Sequence, residues 1–212
     1  MTKPLSFELS TADPVAVNNE LVNPGFFFIQ GLDPTVIEEV YGHGKEYFSA
    51  ASKEKLKTDD KSIGYSRRRD GVERIIFSPD LWKNDLLDLF SINFPDFNRA
   101  MRSAYQMLEA QVTHLREFIP GPLVSRRPIF NLLHYEPFMI TPPHGDPSHF
   151  LSPVPVGKSL EVQTYSNWPD VGSREWQNVD LTRDQAVFVN KGKIHKAENG
   201  PEERYSIVFT FR

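Results

Sequence analysis

The chain has 212 residues, 39% hydrophobic and 12% aromatic, which is enough for one domain with a substantial core. Its formal net charge of −4 argues against the basic face that nucleic-acid binding needs. The absence of cysteine excludes disulfides, zinc–thiolate sites and cysteine catalysis, so metal ligands must come from His, Asp and Glu.

The N-terminal segment, MTKPLSFELSTADP, has no apolar stretch typical of a secretion signal, and no other run is long enough to span a membrane. We therefore expect a cytoplasmic protein that has neither membrane nor nucleic-acid partners. The oligomeric state stays open.

Residues 1–124 show mainly helical patterns. NPGFFFIQG, at 23–31, is typical of a turn followed by a short buried strand. Asp33 and Pro34 then suit the N-cap and first position of a helix that continues to about Phe48. A second apolar stripe predicts a helix over roughly 96–118, which the sequence Pro-Gly-Pro at 120–122 should end.

Residues 125–212 have the pattern of many short strands between turns, typical of a sandwich, barrel or jelly roll. The two parts together predict a single α+β domain. We expect strands near 127–135, 144–151, 159–165, 174–180, 185–190, 193–198 and 203–211.

The last strand, RYSIVFTFR, alternates clearly. Its apolar face, with Tyr205, Ile207, Phe209 and Phe211, should pack on the helical part. The opposite face, which carries Arg204 and Ser206, should then line a polar cavity or contact water.

The segment TPPHGDPSHF, at 141–150, contains a possible metal-binding pair. Side chains at i and i+2 of an extended segment point the same way, so His144 and Asp146 can converge on one cation. The alternative is turn chemistry, in which Asp146 bonds to nearby backbone and His144 is exposed. We expect His149 to lie in solvent or in an outer shell.

His195 is a candidate third ligand, because it opens a strand that could lie beside the HGD segment. Two histidines and one carboxylate suit non-haem Fe(II), although zinc accepts the same ligands. A rival pair, His134 and Glu136, has the same spacing.

Arg204 and Ser206 form the only Arg-x-Ser in the chain. A guanidinium fork and a hydroxyl beside a metal suit a small molecule that chelates at one end and is anionic at the other, such as 2-oxoglutarate. The alternative is that Arg204 pairs at the surface with Glu202 or Glu203.

Taken together, HGD at 144–146, His195 and RYS at 204–206 resemble the HxD…H…RxS signature of the Fe(II)/2-oxoglutarate-dependent dioxygenases. Three further segments are similar to the isopenicillin N synthase-like branch of that superfamily: NPGFFFIQGLD at 23–33, YFSAASKEKLK with the following GYSRR, and NLLHYEPF at 131–138. The sequence departs from the branch at Asn131, where an arginine is usual, and at Arg183-Asp184, where Gly-Asp is usual.

The resemblance implies a double-stranded β-helix (a cupin-like jelly roll) in 125–212, with N-terminal helices packed on it. It implies His144, Asp146 and His195 as iron ligands, with Arg204 and Ser206 binding the distal carboxylate of 2-oxoglutarate. Tyr135 matches a tyrosine that often bonds to the cosubstrate or substrate.

The function implied is oxygenation, most often hydroxylation, of a small polar metabolite by O2, with release of succinate and CO2. In the resembled branch the region around 65–74 approaches the mouth of the site, so Tyr65, Arg67 and Arg74 are candidate contacts to an anionic substrate. Two alternatives stay open: an iron oxidase that does not use 2-oxoglutarate, and a non-enzymatic jelly-roll protein that binds a metal or ligand.

Overall fold

The structure is a computed structural model that describes residues 5–51, 64–68, 70–78, 92–119, 128–153, 160–164 and 175–211. Three helices lie in these ranges: α1 (Pro14–Val22), α2 (Pro34–Ser49) and α3 (Pro95–Phe118). Twelve strands accompany them: β1 (Ser6–Phe7), β2 (Phe26–Ile29), β3 (Gly64–Arg67), β4 (Glu73–Phe77), β5 (Ile129–Tyr135), β6 (Ile140–Gly145), β7 (His149–Pro153), β8 (Leu160–Thr164), β9 (Glu175–Asn178), β10 (Ala186–Val189), β11 (Ile194–Glu198) and β12 (Arg204–Phe211).

The two predicted helices are confirmed. Asp33 caps α2, since its carboxylate accepts a hydrogen bond from the Thr35 backbone N–H at 2.9 Å. Helix α1 was not predicted from the sequence. It begins with the same Asp-Pro pair but has only nine residues, too few to establish a periodic apolar stripe. Among the described helices, none combines the length and apolarity needed to cross a membrane.

The strands form two sheets. The major sheet has eight strands in the order β1-β2-β10-β7-β12-β5-β4-β3, and the minor sheet has four in the order β6-β11-β8-β9. All neighbouring strands are antiparallel except β1 and β2. The predicted α+β architecture with a jelly-roll-like pair of sheets is therefore confirmed.

Two apolar layers hold the fold together. The larger lies between the helices and the major sheet, and the smaller lies between the two sheets. Strand β2 contributes to both, because Phe27 and Ile29 point toward the helices while Phe26 and Phe28 point toward the minor sheet. Its continuous FFFI run is thus a central strand buried on both faces.

The prediction for the last strand is also confirmed. The side chains of Tyr205, Ile207, Phe209 and Phe211 belong to the helix-side core. The alternate residues Arg204, Ser206, Val208 and Thr210 line a cavity on the other side of the major sheet. Strand β12 therefore separates core from cavity.

The predicted strand over 144–151 is wrong as one element. Its first part belongs to β6 in the minor sheet and its second part to β7 in the major sheet. The chain bends between them at Asp146–Ser148, where Pro147 cannot donate a ladder hydrogen bond.

The first half of the chain also contains β1, β3 and β4, which the helical interpretation overlooked. Like the predicted β2, they join the major sheet. The proposed boundary at 124/125 and the Pro-Gly-Pro stop both fall in 120–127, outside the described residues. The single-domain organisation stays a prediction.

Candidate active site

A cavity of about 200 Å³ lies between the two sheets. Its wall on the major-sheet side comes from β4, β5, β7 and β12, and its wall on the minor-sheet side comes from β6, β8 and β11. The polar side chains in the lining include His144, Asp146, His195, Arg204, Ser206, Tyr135, Ser152, Asn131, Thr141, Thr210, Arg68 and Arg74.

Three of these residues form a compact cluster with one ligand atom each. His144 on β6 lies directly opposite His195 on β11, and the centroids of their rings are 4.3 Å apart. Asp146 follows β6, and its Oδ2 lies 3.6 Å from Nε2 of His195. The three ligand atoms all lie within 4.8 Å of one another, so one cation could contact all of them.

The backbone around the HGD segment explains this convergence. Strand β6 is an edge strand, which is where Pro142 and Pro143 are tolerated, and its register with β11 shifts between His195 and Ala197. Gly145 allows β6 to approach the turn before β11, because a Cβ there would lie 2.9 Å from the carbonyl oxygen of Gly192. Glycine between the two candidate ligands is therefore a steric requirement.

Hydrogen bonds orient both imidazoles. Nδ1 of His144 lies 2.9 Å from the carbonyl oxygen of Pro142, and Nδ1 of His195 lies 3.0 Å from that of Lys193. A carbonyl can only accept, so Nδ1 carries the proton in each ring and Nε2 keeps its lone pair. The ring of Phe150 packs edge-on against His195 at 5.0 Å and restricts its rotation.

The environment of His195 favours the neutral, metal-binding form of its ring. Burial lowers its pKa, and the nearby His144 and Arg204 lower it further. The Lys193 carbonyl and Asp146 act in the opposite direction but do not reverse the shift. His195 is only 6% exposed, whereas the Asp146 side chain is 32% exposed and faces the open part of the site.

Arg204 is the second unusual group. It is 4% exposed, and burial lowers its pKa. Its guanidinium lies over the ring of Tyr135 at 4.9 Å, yet Nε and Nη1 have no hydrogen-bond partner within the described part of the chain. A buried cation with two unsatisfied N–H groups is costly unless an anion completes it.

Hydroxyl groups accompany this arginine in the cavity. Ser206, two residues along β12, is 2% exposed, and its Oγ lies 3.5 Å from Oγ of Ser152 on β7. Tyr135 pairs with Arg204 across β5 and β12, and burial raises the pKa of its phenol. The cavity therefore offers several neutral donors around one unsatisfied guanidinium.

Two of the alternatives raised from the sequence, a surface pairing of Arg204 and a His134–Glu136 metal pair, differ from what the structure shows. Glu203 accepts a hydrogen bond from Tyr205 at 2.9 Å, while Arg204 turns into the cavity. The rival pair does not converge on a cation: His134 bonds to Glu73 at 2.9 Å, and Glu136 bonds to an arginine at 2.8 Å.

The expectation for His149 is wrong. The residue is buried on the helix side of the major sheet, where its ring stacks on Phe188 and Phe211 at 5.8 and 5.6 Å. Burial lowers its pKa. It points away from the cavity because alternate side chains of β7 face opposite sides of the sheet, and Phe150 and Ser152 are the ones that face the cavity.

The hairpin of β3 and β4 divides the candidate substrate residues between two faces. Arg74 lines the cavity and pairs across the hairpin with Ser66, whereas Tyr65 and Arg67 alternate to the opposite face. The Tyr65 hydroxyl bonds to Glu73, and Arg67 is exposed and paired with Glu136 at 2.8 Å. Arg68, which was not among these three candidates, also lines the cavity, on the face of Ser66. The alternation of side chains along a strand would have identified it once the strand was known.

No protein-family model matches the chain, and no curated protein matches it either.

Solved structures are much more informative. A full-length Neurospora crassa protein, solved in complex with α-ketoglutarate and 5-formyluracil, is similar with a TM-score of 0.73 at 17% identity, covering 99% of this chain and 84% of that one. The rice dioxygenase for auxin oxidation gives a TM-score of 0.74 at 13% identity, covering 99% and 83%. A Pseudomonas putida prolyl-4-hydroxylase gives 0.59 at 12% identity, covering 94% and 98%.

The chain has the fold of the 2-oxoglutarate-dependent oxygenases. At these identities the similarity is one of fold, and the isopenicillin N synthase-like branch stays a prediction. Within this fold the two sheets bring together the residues of the HxD…H…RxS pattern, which lie up to 62 positions apart in the sequence.

Proposed function

We propose that the protein is an Fe(II)- and 2-oxoglutarate-dependent oxygenase that acts on a small polar molecule. The observation that carries this proposal is the unsatisfied, buried guanidinium of Arg204 in the same cavity as the His144–Asp146–His195 cluster. A metal site alone would fit many functions, but a metal site with a buried anion receptor beside it fits a chelating dicarboxylate.

The donor set fits iron. Two neutral imidazole nitrogens and one carboxylate oxygen are the ligands of the facial triad of non-haem Fe(II) oxygenases, which leaves positions open for other ligands. Both rings already present Nε2, because their Nδ1 atoms are engaged by backbone carbonyls. This orientation supports the proposed metal site, as does the distance of at most 4.8 Å between the candidate ligand atoms.

The cavity also fits 2-oxoglutarate. Arg204 would bind the distal carboxylate through Nε and Nη1, with Ser206 and Ser152 offering hydroxyl donors. Tyr135 restricts the guanidinium from one side through its ring. The keto-acid end of the molecule would then extend toward the histidine cluster.

When bound, iron and 2-oxoglutarate would supply the oxidising power, with consumption of O2 and release of succinate and CO2. The residues of the chain have simpler tasks. His144, Asp146 and His195 would hold the metal, and Arg204 would bind the distal carboxylate of the cosubstrate. Apolar neighbours, including Phe150, Leu133 and Val208, exclude water from part of the cavity.

The decisive experiment uses purified protein under argon with Fe(II) added first and 2-oxoglutarate second. We expect the weak visible charge-transfer band of the iron–keto-acid chelate to appear only after the second addition. Admission of O2 with a panel of amino acids and small acids should then give substrate-stimulated succinate release. Absence of the band, together with no binding of 2-oxoglutarate by calorimetry, would contradict the proposal.

The same experiment separates the alternatives. Oxygen consumption without succinate would indicate an oxidase, in which Arg204 binds a carboxylate of the substrate itself. Binding of iron without turnover of any compound would favour a non-enzymatic role.

A further inference from the structure

We propose that the primary substrate carries an oxyanion, such as a carboxylate, and that Arg74 binds it with Arg68 beside it. This inference rests on the proposed function and specifies its substrate class. It concerns a second cationic position in the cavity, separate from Arg204.

Strand register places Arg74 in the cavity. Arg74 on β4 pairs with Leu133 on β5, which pairs in turn with Ser206 on β12, so these three side chains form one row across the sheet. All three line the cavity. Two strand spacings separate β4 from β12, about 10 Å between backbones, so Arg74 lies on the opposite side of Leu133 from the Arg204–Ser206 pair.

The orientation of Arg74 is restrained by its neighbour on the hairpin. Nε of Arg74 donates to Oγ of Ser66 at 2.8 Å, and Ser66 is its direct partner in the register of β3 and β4. Burial lowers the pKa of Arg74, and the charge of Arg68 lowers it further, so the two guanidinium groups repel each other. Two neighbouring cations that face one cavity are stabilised by a shared anion.

The charge balance of the cavity points the same way. The described lining of the cavity contains three arginines but one carboxylate, that of Asp146. Arg68 has a partner outside the lining, since it pairs with Asp70 at 2.8 Å in a half-exposed contact. The +2 charge of Fe(II) and the −2 charge of 2-oxoglutarate would cancel, so loading would leave the arginine-rich character of the described lining unchanged, which suits an anionic substrate.

The two cationic positions of the cavity also differ in how exposed their arginines are. Arg204 is almost fully buried and has two unsatisfied N–H groups, which suits a resident anion. The Arg68 side chain, by contrast, is 48% exposed, which suits a ligand that enters and leaves. A volume of about 200 Å³ limits that ligand to a small molecule.

The test compares acids with their neutral amides, using acetate and acetamide, benzoate and benzamide, and phenylacetate and phenylacetamide, with inorganic phosphate as a further oxyanion. Each probe is titrated by calorimetry into the full chain loaded with Fe(II) and saturating 2-oxoglutarate under argon. We expect the wild type to bind at least one oxyanion probe at least tenfold more tightly than the amides.

Arg74→Gln should abolish that preference, while Arg74→Lys should restore part of it. The matched control is Arg67→Gln, which removes the same charge from the same hairpin but from a side chain on the other face. We expect it to retain the preference in full. Thermal unfolding of each variant shows whether it is folded. If Arg74→Gln does not fold, Arg74→Lys still tests the role of Arg74.

The outcomes distinguish this inference from the proposed function. No preference for oxyanions in the wild type, or equal loss in the Arg67 and Arg74 variants, would overturn the substrate assignment while the charge-transfer band still formed. If the band did not form, the titrations would be repeated on the unloaded protein. A preference removed by Arg204→Gln but unchanged in Arg74→Gln would then overturn the role of Arg74 as well.

Discussion

Two histidine–carboxylate clusters lie on opposite sides of the major sheet, and only one of them has the geometry of a ligand site. On the helix side, His134 bonds to Glu73 at 2.9 Å, its ring stacks on Tyr205 at 4.8 Å, and Glu73 also accepts from Tyr65. On the cavity side, the Nε2 atoms of His144 and His195 and the carboxylate of Asp146 face one another.

The difference lies in how each cluster is satisfied. In the helix-side cluster the carboxylate of Glu73 is hydrogen-bonded to His134 and Tyr65, so this cluster contributes to packing and stability. In the cavity-side cluster the backbone takes only the Nδ1 atoms and leaves three acceptor atoms close together. Residue types alone do not distinguish a structural network from a metal site, whereas the assignment of partners does.

The largest effect is expected from removing a candidate metal ligand of the cavity-side cluster. His195→Ala should weaken Fe(II) binding by about 100-fold or more and abolish succinate release, since loss of an outer-shell partner alone typically costs 10–100-fold. Calorimetry with Fe(II) and a coupled succinate assay measure both. His43→Ala, a partly exposed histidine on α2 paired with Glu46, is the control and should bind iron normally.

The next effect concerns Arg204, the proposed anion receptor. Arg204→Met should raise the Kd for 2-oxoglutarate by about 100-fold, because truncating one partner of a buried charge pair costs roughly 2–5 kcal/mol. The same variant should not lower the Tm of the ligand-free protein, since it removes a buried charge with unsatisfied N–H groups. Arg183→Met, which removes an exposed arginine paired with Glu38, should change neither quantity. A large drop in the Tm of the Arg204 variant would indicate a structural ion pair instead.

The helix-side cluster should respond in the opposite way. His134→Ala should lower the free energy of unfolding by about 2–4 kcal/mol, because it creates a cavity and deprives Glu73 of a donor. Iron affinity should stay within twofold of wild type. Urea unfolding and Fe(II) titration measure the two quantities, and loss of iron binding in a folded variant would break the contrast between the clusters.

The smallest effect should come from the backbone that supports the cavity-side cluster. Gly145→Ala would place a Cβ 2.9 Å from the Gly192 carbonyl oxygen, so β6 must shift and separate the ligands, at a cost of about 1–3 kcal/mol. We expect roughly tenfold weaker Fe(II) binding by calorimetry. Gly200→Ala is the control, since nothing lies within 4 Å of its Cβ position. Equal effects of both substitutions would argue against steric control by Gly145.

Elements with a strong local signal were predicted well from the sequence. The Asp-Pro start and apolar stripe of α2, the alternation of β12 and the FFFI strand are each determined by neighbouring residues. The strands at 160–164, 186–189 and 194–198 were located within one residue for the same reason. Shorter elements such as α1 and β1 were missed because a few residues cannot establish a period.

The face occupied by residues of the β3–β4 hairpin was not predictable from composition. Tyr65, Arg67 and Arg74 all have side chains that could bind a polar substrate. Arg74 pairs with Ser66 and faces the cavity, whereas Tyr65 and Arg67, on either side of Ser66, face the opposite way. The same parity sends His149 to the helix side, although it lies only three residues from Asp146.

The sequence by itself determined which chemical groups are present and in what order, including the HGD triplet, the distal histidine and the Arg-x-Ser strand. Only the tertiary structure decided that β6 and β11 pair so that His144 faces His195, and that Arg204 is buried without a complete set of partners. The physical reason is that local patterns specify single strands, whereas convergence of distant side chains depends on which strands are neighbours and in which register.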